Sequence, residues 1–124
     1  MKDRICIRSF ITVSLDSFEY VSDFFAGYLA DRFGGVTIKG GGAINGYWYS
    51  DAMDYKNKYT GELRKESVME IVLSVLPIYE NDAVKLIEDV AKKLINEGTI
   101  DSRYIHVECF KSIEMHIDLM DVDN

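Results

Sequence analysis

Hydrophobic and polar residues alternate along several stretches of the chain, which is the pattern of strands with one buried face. The first stretch predicts a strand over residues 5–15, and the second predicts one over residues 66–76. A third strand is predicted over residues 104–110. The alternation then resumes and predicts an optional last strand through Ile113, Met115, Ile117 and Leu119.

Between the first two strands, the apolar residues recur at helical spacing and predict a helix from about residue 17 to 33. Asp16 followed by Glu19 fits a capping box, with Asp replacing the usual Ser or Thr. Gly34 and Gly35 supply the left-handed stop that is expected just past a helix end.

A second helix is predicted after Pro77, which ends the preceding strand because proline has no N–H for the sheet. Asn81 is the expected N-cap, and Gly98 is expected to close this helix. Its core stripe is the clearest helical periodicity in the chain and consists of Val84, Ile87, Val90 or Ala91, and Leu94 or Ile95.

The segment from Gly34 to Asp51 contains six of the nine glycines and the only tryptophan, Trp48. Glycine inside a strand pattern marks a bulge or a close backbone approach, so a strand bent at Gly40-Gly41-Gly42 is predicted here. A charged hairpin loop over residues 50–65 follows, because no apolar period is present there.

The order strand, helix, strand, strand, helix, strand predicts an α+β fold of the ferredoxin-like, split β-α-β type. Both helices are expected on one face of an antiparallel sheet, since each has a single apolar stripe. One domain over residues 1–120 is expected, with a frayed acidic tail at 121–124.

A sheet covered on one side leaves a bare face. From the strand parities, this face is expected to present Arg8, Phe10, Thr12, Glu70, Val72, Tyr104, His106, Glu108 and Phe110. Three aromatic residues among several charges are unusual in open solvent. We therefore expect a homo-oligomer that buries Phe10 and Phe110, or a ligand on this face.

The net charge of −7 argues against direct binding of a nucleic-acid backbone, because that affinity comes from Lys and Arg. No apolar run is long enough for a membrane helix and no signal peptide is evident, so a cytoplasmic protein that does not bind membranes is expected. Cys6 and Cys109 are read as reduced thiols. No sequence motif indicates a cofactor, and none is expected.

Part of the chain, about residues 33–72, resembles a family of small uncharacterised bacterial α+β domains. The shared features are Phe33-Gly-Gly-Val-Thr before the bent strand, Gly46 with Trp48, the turn Thr60-Gly61-Glu62, and Glu66-Ser67 at the next strand. The chain departs from that pattern at Ile44, where glycine is expected, and in its longer hairpin. The resemblance supports the fold and implies no catalytic residue.

The candidate chemistry is sparse. His106 could act as a general base oriented by Glu108 or Glu70, with Arg8 holding an anionic substrate. The alternative interpretation is that these are solvated or interface residues of a strand. His106 and His116 have no third ligand at a persuasive spacing, so no metal site is predicted. Gly40-Gly41-Gly42 precedes neither a helix nor a Gly-Lys-Ser/Thr sequence and is not a P-loop.

The aromatic residues Tyr47, Trp48, Tyr49, Tyr55 and Tyr59 could stack on a base or nucleotide, or simply pack. Together with Arg8, Phe10 and Tyr104 they are the predicted binding residues. The acidic residues of the hairpin, Asp51, Asp54, Glu62 and Glu66, are typical of a solvated loop, and such a loop could also imitate a phosphate backbone.

Three functions remain open. The preferred one is a non-enzymatic, homo-oligomeric protein that captures a partner protein or a small nucleotide-like ligand with its aromatic hairpin and bare sheet face. The second is a small dimeric α+β enzyme using His106 and a carboxylate. The third is an acidic, phage-type inhibitor of a nucleic-acid-binding or host-defence protein.

Overall fold

The computed structural model of the protein describes residues 2–52 and 57–120. The predicted tail at 121–124 and Tyr55 of the hairpin lie outside these residues. The strands and helices, in chain order, are β1 (Lys2–Thr12), α1 (Phe18–Phe33), β2 (Thr37–Lys39), β3 (Asn45–Tyr49), β4 (Leu63–Val75), α2 (Glu80–Asn96) and β5 (His106–Glu114).

The strands form one antiparallel arrangement in the order β2-β4-β1-β5, with β3 paired to the first half of β4. Since β2 and β3 both pair with β4, they act as two segments of one interrupted strand. The resulting topology is ferredoxin-like, and the predicted α+β fold with two helices on an antiparallel sheet is confirmed.

The hydrophobic core lies between the helices and one face of the sheet. Side chains from α1 and α2 pack there against alternate residues of β1 and β4, and the fully buried ones include Ile7, Phe25, Leu29, Met69, Ile71, Leu73, Ile87 and Leu94. The predicted inward parity of both strands is therefore confirmed. Leu15 is the exception, because it follows β1 in a 3₁₀ turn and is exposed.

The glycine bend separates β2 from β3 as predicted. Gly40, Gly41 and Gly42 all have positive φ, at 148°, 68° and 97°. A Cβ atom on Gly40 would collide with the Phe18 ring and lie 2.8 Å from the Val68 carbonyl oxygen. Glycine is required at residue 40 by both its conformation and this close approach.

Both predicted N-caps are wrong, although α1 begins within one residue of its predicted start, and both predicted glycine ends are confirmed. A 3₁₀ turn precedes each helix, over Leu15–Ser17 and Pro77–Tyr79, and neither helix has a side-chain cap. Asp16 lies inside the first turn, and Asn81 is the second residue of α2. Gly34 and Gly98 have φ of 89° and 79°, as the left-handed stops require.

Three strands also have other boundaries than predicted. β1 runs from Lys2 to Thr12 rather than over residues 5–15, since its pairing with β5 extends to Lys2. β4 begins at Leu63, because main-chain pairing with β3 extends it through charged residues that carry no apolar period. β5 begins at His106 and ends at Glu114, so Tyr104 lies in the preceding loop. The optional last strand is wrong in the described part of the chain, since Met115 and Ile117 have no partner strand.

Among the described residues, no helix combines the length and the apolar character needed to cross a membrane.

Candidate functional site

The bare face of the sheet carries alternate residues of all the long strands. Arg8 lies opposite Val72 on one side and Glu108 on the other, and Phe10 lies opposite Glu70 and His106. Directly opposed residues of an antiparallel pair share a face. Except for Tyr104, the residues predicted for the bare face therefore lie there.

One end of this face opens into a cleft of about 520 Å³, which we call the aromatic cleft. Its aromatic lining comes from β1, β3, β5 and the loop before β5 and consists of Phe10, Trp48, Tyr49, Tyr104 and His106. Its charged lining consists of Arg64, Glu66, Asp101 and Arg103. The fold thus brings together four of the predicted binding aromatics, Phe10, Trp48, Tyr49 and Tyr104.

Trp48 lies in this cleft because of its register and its neighbour Gly46. Trp48 pairs with Arg64 and Gly46 pairs with Glu66, so all four side-chain positions share the face of Phe10. A Cβ on Gly46 would collide with the Trp48 indole and lie 2.9 Å from the Val68 Cγ2. The missing side chain at residue 46 therefore leaves the space that the indole occupies.

Tyr47 and Tyr49 share one side of β3 but have different neighbours. Tyr47 is 61% exposed on the side opposite Trp48, where the Lys65 Nζ lies 5.8 Å from its ring centre. Tyr49 lines the end of the cleft and stacks on Tyr59, with ring centroids 6.3 Å apart and an interplanar angle of 11°. The prediction for Tyr55 falls outside the described residues.

The hairpin end is held by its own polar side chains. The Asp51 carboxylate accepts hydrogen bonds from the backbone N–H groups of Thr60 and Gly61, at 3.1 and 3.0 Å. The Ser50 hydroxyl accepts one from the Glu62 N–H at 3.0 Å. Asp51 therefore holds the loop in place through its hydrogen bonds, whereas it was predicted to be a solvated acidic residue.

The candidate catalytic residues form two separate pairs. His106 Nε2 and Glu108 Oε2 are 2.8 Å apart, and the His106 side chain is 65% exposed. Glu70 instead pairs with Arg8, whose Nε is 3.1 Å from Glu70 Oε2. Of the two carboxylates that were predicted to orient His106, only Glu108 contacts it, whereas Glu70 forms an ion pair with Arg8.

The opposite end of the face holds a second cleft, of about 710 Å³, that the sequence did not indicate. Arg4 donates to the Ser74 hydroxyl and carbonyl at 3.1 and 3.0 Å, and Glu114 accepts from the hydroxyls of Ser74 and Ser112, both at 2.7 Å. The hydrogen bonds from Ser112 and Ser74, helped by Arg4 and His116, lower the pKa of Glu114.

The cysteines and histidines form no reactive or metal-binding cluster in residues 2–52 and 57–120. Partial burial is the main cause that raises the pKa of both Cys6 and Cys109, so neither thiol is activated. No group of three His, Cys, Asp or Glu side chains in these ranges is placed to hold a metal ion.

Sequence reasoning missed the charged half of the aromatic cleft. Arg64 and Glu66 fall in or beside the segment predicted as a loop, and Asp101 and Arg103 lie in a loop that carries no pattern. The one signal for these residues was the pairing of β3 with β4. If residue 64 belongs to a strand that pairs with β3, its side chain lies beside that of Trp48. The Arg103 guanidinium lies 5.1 Å from the Tyr104 ring centre.

No protein-family model and no curated protein matches this chain. Among solved structures, it is similar to CPII from Thiomonas intermedia K12, a nitrogen regulatory PII-like protein bound to ADP, AMP and bicarbonate. The identity is 14% over 93% of this chain and 100% of that chain, with a TM-score of 0.45. A second structure of CPII, bound to ADP, AMP and acetate, gives 14% identity over 92% and 94% of the two chains and a TM-score of 0.43. Similarity at this level transfers neither a ligand nor an activity.

Proposed function

We propose that the protein is a non-catalytic binding protein that takes a small, planar, anionic ligand of the nucleotide type in the aromatic cleft. The observation that supports this most is the joint presence of Trp48, Phe10 and Tyr104 with Arg64 and Arg103 around one cleft. Its volume of about 520 Å³ falls within the usual size of small-molecule sites.

Each part of the lining matches one part of a nucleotide. Aromatic rings stack on a base, and an indole offers the largest surface for this. Arginine guanidinium groups bind phosphate oxygens through paired, charge-assisted hydrogen bonds. Glu66 and Asp101 supply carboxylate acceptors for ribose hydroxyls or exocyclic amines. A purely anionic ligand without donors would gain nothing from these two carboxylates.

The size of the ligand follows from the charge of the chain. A net charge of −7 opposes a long phosphate backbone, whose binding depends on many cationic contacts. A mononucleotide presents only a few charges, and the two arginines of the cleft can meet them locally.

Isothermal titration calorimetry with nucleoside mono- and diphosphates, adenosine and inorganic phosphate tests the proposal. We expect saturable binding of at least one nucleotide, weaker binding of adenosine and the weakest binding of phosphate. Arg103→Ala should weaken nucleotide binding by about tenfold or more, as loss of a charge-assisted contact does. No binding of any nucleotide would contradict the proposal.

Arg32→Ala is the matched control. Its guanidinium lies 5.0 Å from the Phe33 ring centre, much as Arg103 lies against Tyr104, but it is at the end of α1 and outside the aromatic cleft. Equal losses of affinity in the two variants would mean that general charge, rather than the cleft, attracts the ligand.

A second candidate function, a small enzyme, is favoured only by the 2.8 Å contact between His106 and Glu108. A carboxylate beside an imidazole is the arrangement that orients a general base. The test is turnover: with any bound nucleotide identified above, product formation that His106→Ala abolishes would favour the enzyme over the binding protein.

A further inference from the structure

The outer edge of β5 is the longest free strand edge of the sheet. β5 is the last strand in the order β2-β4-β1-β5 and runs for nine residues from His106 to Glu114. In the described ranges its outward main-chain groups face no other strand. Phe110 and Ile113 on this strand are 43% and 68% exposed.

The opposite side of the sheet lacks such an edge. β2 has only three residues, and the glycine turn at 40–42 interrupts its continuation into β3. Short and broken edges resist pairing with another chain, whereas a long regular edge is a template for it. β5 is therefore the edge of the sheet that is best suited to pair with another chain.

We propose that a second copy of this chain pairs with β5 in antiparallel orientation across a two-fold axis at Phe110, so that the two sheets become continuous. In this register Phe110 faces its own copy, and all nine residues of each strand are paired. The other opposed residues are His106 with Glu114, Val107 with Ile113, Glu108 with Ser112, and Cys109 with Lys111.

Charge and apolar complementarity select this register over its neighbours. An axis at Glu108 sets two carboxylates directly opposite each other, and an axis at Lys111 does the same to two ammonium groups, which destabilises a pair. An axis at Cys109 or Ser112 avoids this conflict. With either of these axes, however, His106 no longer lies opposite Glu114, and residues at the ends of both strands have no partner.

The expected dimer is symmetric and weak. Main-chain pairing along a single strand buries less than the ~1,200 to 2,000 Å² of a stable interface, so concentrations on the order of 100 micromolar are appropriate for its detection. The aromatic cleft lies on the sheet face, and the proposed contact is along the strand edge. The proposal therefore does not depend on ligand binding.

Disulfide trapping tests the register. In a Cys6→Ser, Cys109→Ser background the added thiol is unique, since the chain has two cysteines. Phe110→Cys should form an intermolecular disulfide at least about tenfold faster than Lys111→Cys, because Cα atoms more than about 7 Å apart cannot be bridged. Equal rates for the two variants, or no cross-link from Phe110→Cys, would overturn the proposal.

A charge substitution tests the same surface without cross-linking. Phe110→Glu sets two carboxylates opposite each other at the axis and should shift the protein to monomer in sedimentation equilibrium. Tyr47→Glu, on another exposed aromatic residue, should leave the dimer intact. A monomeric parent protein in this experiment would overturn the proposal, as would an unchanged dimer in Phe110→Glu.

Discussion

Replacing Gly46 by alanine adds a methyl group where the Trp48 indole now lies. The new Cβ would lie 2.8 Å from Trp48 Cη2 and 2.9 Å from Val68 Cγ2, in addition to a closer collision with the indole. Alanine in a strand normally stabilises a protein by about 0.5 to 1 kcal/mol relative to glycine. Overpacking costs about 1 to 3 kcal/mol, so the net expectation is a loss of roughly 1 to 2 kcal/mol.

A double-mutant cycle with Trp48→Ala isolates the cause. Chemical unfolding followed by circular dichroism gives the free energy of unfolding of the four proteins. Once the indole is absent, Gly46→Ala should be close to neutral, which gives a coupling of about 1 to 2 kcal/mol between the two sites. Gly27→Ala is the matched control, because its Cβ meets nothing within 4 Å and it should stabilise α1.

Two outcomes would refute this reasoning. A coupling near zero would mean that Gly46 does not make room for the indole. An unchanged Trp48 emission maximum in Gly46→Ala would mean that the indole stays in the cleft without that space.

The remaining predictions concern the bend, the function and the second cleft. Gly41→Val, at φ of 68°, should cost about 1 to 3 kcal/mol, and an unchanged melting temperature would show that the three glycines form a loose loop. Trp48→Ala and Tyr55→Ala should weaken ligand capture by ~2 kcal/mol or more, whereas His106→Ala should retain it within a few-fold; a folded His106→Ala protein without function would contradict the binding account. Glu114 has a lowered pKa in the folded protein, so its carboxylate stabilises the fold above the unfolded pKa, and this contribution is lost as the pH falls through the folded pKa. Glu114→Gln should therefore reduce stability near neutral pH by less than about 1 kcal/mol. The melting temperature of this variant should fall less steeply than that of the parent as the pH is lowered, and an unchanged pH dependence would exclude this role.

The fold was predictable where a single local requirement, such as burial of one strand face or a left-handed backbone conformation, determines the residue type. Alternation through Ile5, Ile7 and Ile11 and through Met69, Ile71 and Leu73 identified the buried faces of β1 and β4, because a strand exposes every second residue to each side. Gly34 and Gly98 identified helix ends because their left-handed conformation favours glycine.

The misses arose where main-chain pairing or a turn, rather than side-chain pattern, determined the structure. The 3₁₀ turn after β1 contains Asp16, and the 3₁₀ turn after β4 leads directly into α2 at Glu80, so that Asn81 is already inside the helix and neither residue caps. Leu63 joined β4 through pairing with β3, which no apolar period indicates.

The candidate site was predictable only in its aromatic half. Trp48 and the neighbouring tyrosines stood out as a cluster in the sequence, and Phe10 followed from the parity of β1. The charged half, from Arg64 to Arg103, depends on contacts between β4 and a distant loop. Such contacts leave no local pattern, and a single sequence does not carry them.

The most direct test of the account uses the indole of Trp48, the only tryptophan in the chain. In an ¹⁵N-labelled protein it gives a single side-chain indole N–H signal, which can be followed during titration with a nucleoside diphosphate. The account predicts a saturable shift of this signal, with the same apparent Kd as calorimetry, that Arg103→Ala weakens and Arg32→Ala leaves unchanged. A stationary indole signal at nucleotide concentrations that saturate calorimetric binding would contradict it.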